Sequence, residues 1–207
     1  MRDPSQKRTR MSAAARREVI ETAAAEVFAE RGYHGASIDE ICRRAGVTAP
    51  VLYDHFPSKL ALHRRLLERT RDELLALWRE HLAGDDPPEV RIPRAIDGWA
   101  AYVQAHPYAP RMFFFETTGE PEIQAIHREV TAQGKAALGA IVGEQSGDAA
   151  VAAEMIAEVM RAGLAGLAIW WSEHPEVPRE QIVETALNVL WVGLERLSRG
   201  ETWTGRA

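Results

Sequence analysis

The sequence predicts an all-α protein of about nine helices, a small N-terminal helical domain joined to a larger helical one. Three observations point there. Apolar residues recur at helical spacing in almost every segment, as in Ile20, Ala23, Ala24, Val27 and Phe28, which fall at i, i+3, i+4, i+7 and i+8. No stretch alternates with β-branched residues for long enough to form a strand. Glycines and prolines punctuate the helical segments at short intervals. The 207 residues can bury a sizeable core without staples, and the single cysteine, Cys42, excludes a disulfide framework within one chain. No apolar run after Met1 resembles a signal peptide. The longest low-charge segment, "VMRAGLAGLAIWW" at 159–171, contains Arg161 and is too short to cross a bilayer. The expectation is a soluble, cytoplasmic protein.

Helix one is expected over about 13–31, stopped by Gly32 as a left-handed cap. Ser37 followed by Glu40 is a reciprocal capping pair that opens helix two, about 38–45, which Gly46 ends. Thr48 is a second N-cap. It places Pro50 in the first turn of helix three, about 49–55, where a missing N–H costs nothing and the fixed φ already suits the helix. Pro57 prevents that helix from continuing, and helix four follows over about 58–83. "GDDPPE" at 84–89 is a connection. Further helices are expected at about 91–106, 108–117, 121–145, 148–174 and 178–199.

The formal charge of −5 excludes a uniformly basic coat, yet charge is unevenly spread. Residues 1–60 carry ten Lys/Arg against eight Asp/Glu, a net of +2, whereas the remainder carries fifteen against twenty-two, a net of −7. Arg2, Lys7, Arg8, Arg10, Arg16 and Arg17 face only Asp3 in the first seventeen residues. Residues 1–12 therefore form a disordered basic arm, either a phosphate-seeking element or a solubilising tail.

Two short helices joined by "AGV" make a helix-turn-helix, whose second helix fits the DNA major groove. Leu52 and Phe56, at i and i+4, pack inward and leave Ala49, Pro50, Tyr53 and His55 on other faces. The stretch "VIETAAAEVFAERGYHGASIDEICRRAGVTAPVLYDHFPSKLAL", residues 19–62, resembles the DNA-binding domain of the tetracycline-repressor-like (TetR) family of bacterial transcription regulators. The matching elements are Ala23 and Phe28 before "RGY", Ser37, the "AGV" turn, Thr48, the Leu-Tyr-x-His-Phe of 52–56, and Ser58-Lys59. The resemblance implies a DNA-binding domain at 13–74 and a ligand-binding and dimerisation domain at 75–207. It also implies that Ser37, Thr48, Tyr53 and Lys59 touch phosphates, and that Ala49, Pro50 and His55 face base edges or nearby backbone. Cap hydroxyls, a helix N-terminus, a phenol on a rigid ring and a lysine at a helix start each suit phosphate independently. Helix three carries no Arg, Asn or Gln for a bidentate base contact. Ala49 and Pro50 suit thymine methyls, so selectivity is expected from half-site spacing and DNA shape. Asp54 should point away from the backbone. Cys42 is read as an inert packing thiol.

The larger half concentrates Trp99, Tyr102, Tyr108, Met112 and the triplet Phe113, Phe114 and Phe115. Three consecutive aromatics cannot share one core, so Trp99, Tyr102, Met112, Phe115, His127 and Trp170 are either a small-molecule pocket or ordinary core. Gly163 and Gly166 let helices approach closely, and Leu187, Leu190, Trp191 and Leu194 make the last helix apolar around most of its circumference. In the resembled family these two helices form a four-helix bundle with a second subunit, which implies a homodimer on an inverted-repeat operator. The seven histidines form no HxxxH or HExxH pair, and no phosphate loop or nucleophile elbow occurs, so no cofactor, metal site or enzymatic activity is expected. The resulting expectation is a ligand-responsive repressor, released from double-stranded DNA when a small apolar or amphipathic compound shifts helix four as a lever. An all-α small-molecule-binding protein without a DNA role and an enzyme are the alternatives.

Overall fold

In a computed structural model of the chain, the described residues are 11–82, 84–112, 121–125, 127–129, 131–133, 136, 150–193 and 196. Their regular elements are all helices, with turns between them and no strand among the described residues. The elements are α1 (Ala13–Gly35), α2 (Ile38–Ala45), α3 (Ala49–His55), α4 (Lys59–Leu82), α5 (Pro88–Ala105), α6 (Ala150–Glu173) and α7 (Arg179–Ala186), which runs on into a π-helical turn at Leu187–Trp191. Residues 109–110 and the described residues within 121–136 are α-helical as well. Residues 1–10 of the expected arm, Phe113 to Phe115 and Leu194 lie outside the described residues.

The chain divides into two compact units between Leu66 and Leu67, within α4 and earlier than the expected boundary at Leu74. The first unit buries Ile20, Ala23, Ala24, Val27 and Phe28, the predicted face of α1, with Ile41 and Cys42 of α2 and Leu62 and Leu66 of α4. Ser12 caps α1 by accepting the Ala15 N–H at 3.1 Å. Gly32 interrupts the helix with φ 70 and ψ 169, so its ψ is extended rather than the left-handed helical value the sequence suggests. A further turn follows, closed by the Ala36 N–H on the Gly32 carbonyl at 3.0 Å.

The second unit has its own core, in which Leu82, Ile92, Ile96, Trp99, Val103, Met160, Trp171 and Ile182 are buried together. α5 starts at Pro88, earlier than the expected 91, because a proline at the first helical position loses no hydrogen bond and brings the right φ. Arg91, buried in the first turns of α5, donates to the Leu82 carbonyl at 2.9 Å and so caps the C-terminal end of α4. No helix among the described residues is long and apolar enough to cross a membrane, and no group of three His, Cys, Asp or Glu among them could hold a metal ion.

Candidate nucleic-acid interface

The expected capping pair is half formed. Ser37 Oγ accepts the Glu40 N–H at 3.1 Å, but the Glu40 carboxylate accepts from Arg44 at 2.8 Å instead of returning to the cap. A charge-assisted bond to a neighbouring guanidinium is the stronger of the two choices. α2 ends at Gly46, φ 65 and ψ 32, whose left-handed geometry lets the Gly46 and Val47 N–H groups both reach the Cys42 carbonyl. Thr48 then stands at the head of α3 with an extended backbone. Its carbonyl accepts the Leu52 N–H at 3.1 Å, and its side chain makes no capping bond.

Leu52 and Phe56 anchor α3 from below at 0% and 2% exposure, while Tyr53 on the other face is 49% exposed. Ser37, Thr48, Pro50 and Asp54 are exposed as well, and Ala49 and His55 are half-buried. The arrangement is a seven-residue helix held by two apolar residues, its N-terminal hydroxyl and its tyrosine turned to solvent. Open N–H groups at a helix start and neutral hydroxyls beside them suit an anionic backbone.

Lys59 is engaged within its own domain. Its ammonium donates to the Tyr33 carbonyl at 2.8 Å and the Ala36 carbonyl at 3.0 Å, and lies 4.7 Å from the Tyr33 ring centroid. Other cations brace the same frame unannounced by any motif. Arg44 of α2 reaches Glu26 and Glu30 of α1, and its hydrogen bonds hold the Glu30 carboxyl below its ordinary value. The Arg17 guanidinium of α1 sits 4.9 Å over the ring of Phe56, the residue that closes α3, and pairs with Glu21 at 3.1 Å. None of these pairs was singled out from the sequence, although Arg17/Glu21 and Glu40/Arg44 stand at i, i+4 spacing. Cys42 is buried with its thiol free of any disulfide, and burial pushes that thiol up, in keeping with a packing role.

In the second unit, Trp99 and Met112 are buried, and Tyr102 donates to Glu73 at 3.0 Å while stacking on His106. Burial pushes the Tyr102 phenol well above its ordinary range. The gap between Thr70, Leu74, Trp99, Tyr102, Val103, Ala109 and Pro110 is too tight for a water molecule. Trp170 does not join these residues. It is 44% exposed and stacks on His174 at 4.0 Å, whereas its neighbour Trp171 enters the core and donates to the Val177 carbonyl. His127 is half-buried on the helical stretch after residue 121. Gly163 lies against Leu190, where an added Cβ would stand 3.3 Å away, while Gly166 faces open space. Leu187, Leu190 and Trp191 pack against the core of their own unit.

A family model, "Bacterial regulatory proteins, tetR family", matches residues 20–66, which are α1 from Ile20 through the first turns of α4. The transcriptional activator FasR of Mycolicibacterium smegmatis is 31% identical over 188 residues, covering 88% of this chain and 84% of that protein. The chain belongs to the TetR family. A TetR-like regulator from Rhodococcus sp. RHA1 superposes with a TM-score of 0.73 at 20% identity, over 90% of this chain and 99% of that one. FadR of Bacillus subtilis, solved in complex with stearoyl-CoA, gives a TM-score of 0.67 at 19% identity, over 88% and 98%. These two establish the shared fold.

As a TetR-family protein, the chain is a DNA-binding transcriptional regulator rather than an enzyme, and α2–α3 is its helix-turn-helix. The TetR match ends at the boundary between the two units, so the part of the chain carrying the family pattern is also the part that packs as a body.

Proposed function

We propose that the protein works as a homodimer on an inverted-repeat operator, represses where that operator overlaps a promoter, and is released by a small amphipathic compound carrying an apolar chain. The observation that carries the DNA side is the exposed head of α3: Leu52 and Phe56 are sunk into the domain, the Thr48 hydroxyl is left without a capping bond, and Tyr53 is 49% exposed. Ser37, Thr48 and Tyr53 meet phosphates from there, and Ala49, Pro50 and His55 meet base edges or adjacent backbone. The dimer reading is supported by an apolar stripe on α6, in which Met155 is 64% exposed, Val159 65% and Trp170 44%, at spacings that share one helix face with Ala162 and Gly166. Val189 and Val192 are exposed on the last helix as well.

For the effector, the Tyr102–Glu73 pair beside an otherwise apolar seam supports a ligand with one polar end, and the FadR relative solved with stearoyl-CoA supports an acyl chain. The seam is closed, so the ligand selects an opened arrangement of these helices. A hundredfold release from DNA asks for a coupling of about 2.7 kcal/mol. A second reading, in which DNA occupancy activates transcription, is favoured by the activator name of the relative that matches most of the chain.

Selection of genomic fragments by the purified protein, with and without long-chain acyl thioesters, tests the reading. Recovery of inverted repeats that acyl thioesters elute supports it; retention of no duplex at low salt overturns it. A promoter fusion carrying the recovered site then separates repression from activation.

A further inference from the structure

The resemblance assigns Lys59 to a phosphate, but its surroundings give it a different task. The side chain is half-buried, and its ammonium converges on the carbonyls of Tyr33 and Ala36, at 2.8 and 3.0 Å, with the Tyr33 ring face 4.7 Å away. An ammonium has three N–H groups; two are spent on these carbonyls and a ring face holds the charge. Tyr33 and Ala36 flank the short turn that follows the break at Gly32, and Ala36 immediately precedes the Ser37 cap of α2. The Tyr33 ring is itself set against Phe28 and the fully buried His63. One cation at the first residue of α4 therefore ties down the chain that joins α1 to α2. Free carbonyls at a helix end carry partial negative charge, the complement of an ammonium.

We infer that Lys59 is a positioning residue, an internal clamp on the α1–α2 junction that holds Ser37 and α2 in place, and that it is not one of the phosphate contacts. This rests on the DNA-binding reading, because what the clamp positions is the start of the helix-turn-helix. A charge satisfied inside the protein displaces no counterion when DNA arrives.

The test compares full-length wild type with Lys59→Met on two probes, a duplex recovered by the wild type from a random-sequence pool and poly(dI-dC), by fluorescence anisotropy over a series of KCl concentrations. A clamp gives weaker binding and a lower melting temperature, with an unchanged slope of log K against log[KCl]. A slope reduced by roughly 0.9 for each protomer overturns the inference, since that is the signature of a lost phosphate contact. If the variant does not fold, ¹⁵N NMR of the lysine ammonium groups in the wild type decides. The Lys59 signal is expected to be protected from exchange in the free protein and to keep its position on either DNA; a freely exchanging signal, or one that couples to phosphorus on binding, contradicts the clamp. Wild-type protein that binds neither probe would sink the DNA reading, while the ammonium signal of the free protein would still judge the clamp.

Discussion

Gly32 carries a backbone that other residues adopt only under strain, with φ 70 and ψ 169. Its carbonyl closes the next turn onto Ala36, so the local geometry is tied in place by a hydrogen bond and cannot relax freely. Gly32→Ala should therefore lower stability by about 1–3 kcal/mol in urea or thermal unfolding, although it adds a single methyl group. The sequence announced a glycine stop here but as a left-handed cap, because a stop signal is local whereas the extended ψ serves a turn whose carbonyls are gripped from α4. Tyr53 offers the contrasting case. It is 49% exposed on α3, so Tyr53→Phe should leave the melting temperature alone. If its hydroxyl meets phosphate, anisotropy titrations should show affinity falling by about 0.5–1.5 kcal/mol for every sequence alike. A loss confined to one base sequence would instead assign Tyr53 to base reading.

Between elements, the joint of α1 and α2 is electrostatic on its rim, where Arg44 gathers Glu26, Glu30 and Glu40. The hydrogen bond from Arg44 is the main cause that holds the Glu30 carboxyl below its ordinary value. A carboxyl depressed on folding stabilises the fold above its unfolded pKa, and that contribution is lost as pH falls through the folded value. Melting temperatures of the wild type should thus converge on those of Arg44→Met as the solution is acidified below the usual carboxylate range, and separate again at neutral pH. The gap stays small, because Glu30 is 43% exposed and such pairs are screened. Removing the apolar anchor is the larger insult: Leu52→Ala, at a fully buried position, should cost about 2–5 kcal/mol. Helix ends were legible wherever the signal was chemical and local, as at Ser37, Gly46, Thr48 and Pro57. Lys59 on the Tyr33 carbonyl, Arg91 on the Leu82 carbonyl and Arg17 over Phe56 were not, since each joins residues that only the packed chain brings together. The ligand residues were the least legible, because a buried aromatic and a pocket aromatic have the same spacing until their neighbours are known.

For the whole molecule, the last helix posed a question that its sequence alone left open, since a helix apolar around most of its circumference can serve a core, a partner or both. The π-helical turn at Leu187–Trp191 divides the duties: Leu187, Leu190 and Trp191 lean on the core of their own unit, while Val189 is 70% and Val192 42% exposed. Gly163 lets Leu190 approach α6 on the inner side, and Met155, Val159 and Trp170 remain uncovered. Two kinds of substitution should therefore part company. Trp191→Glu places a charge against the chain's own core and should unfold or strongly destabilise the monomer, seen as a collapse of the thermal transition. Val159→Glu places the same charge on the exposed stripe, where the chain alone has nothing to lose, so helicity should survive while light scattering reports monomers. A monomer grips one half-site instead of two, and its affinity for an inverted repeat should drop toward that for unrelated duplex. Dimers that persist in Val159→Glu at micromolar concentration would mean that this stripe is not where two copies meet, whatever the DNA titration shows.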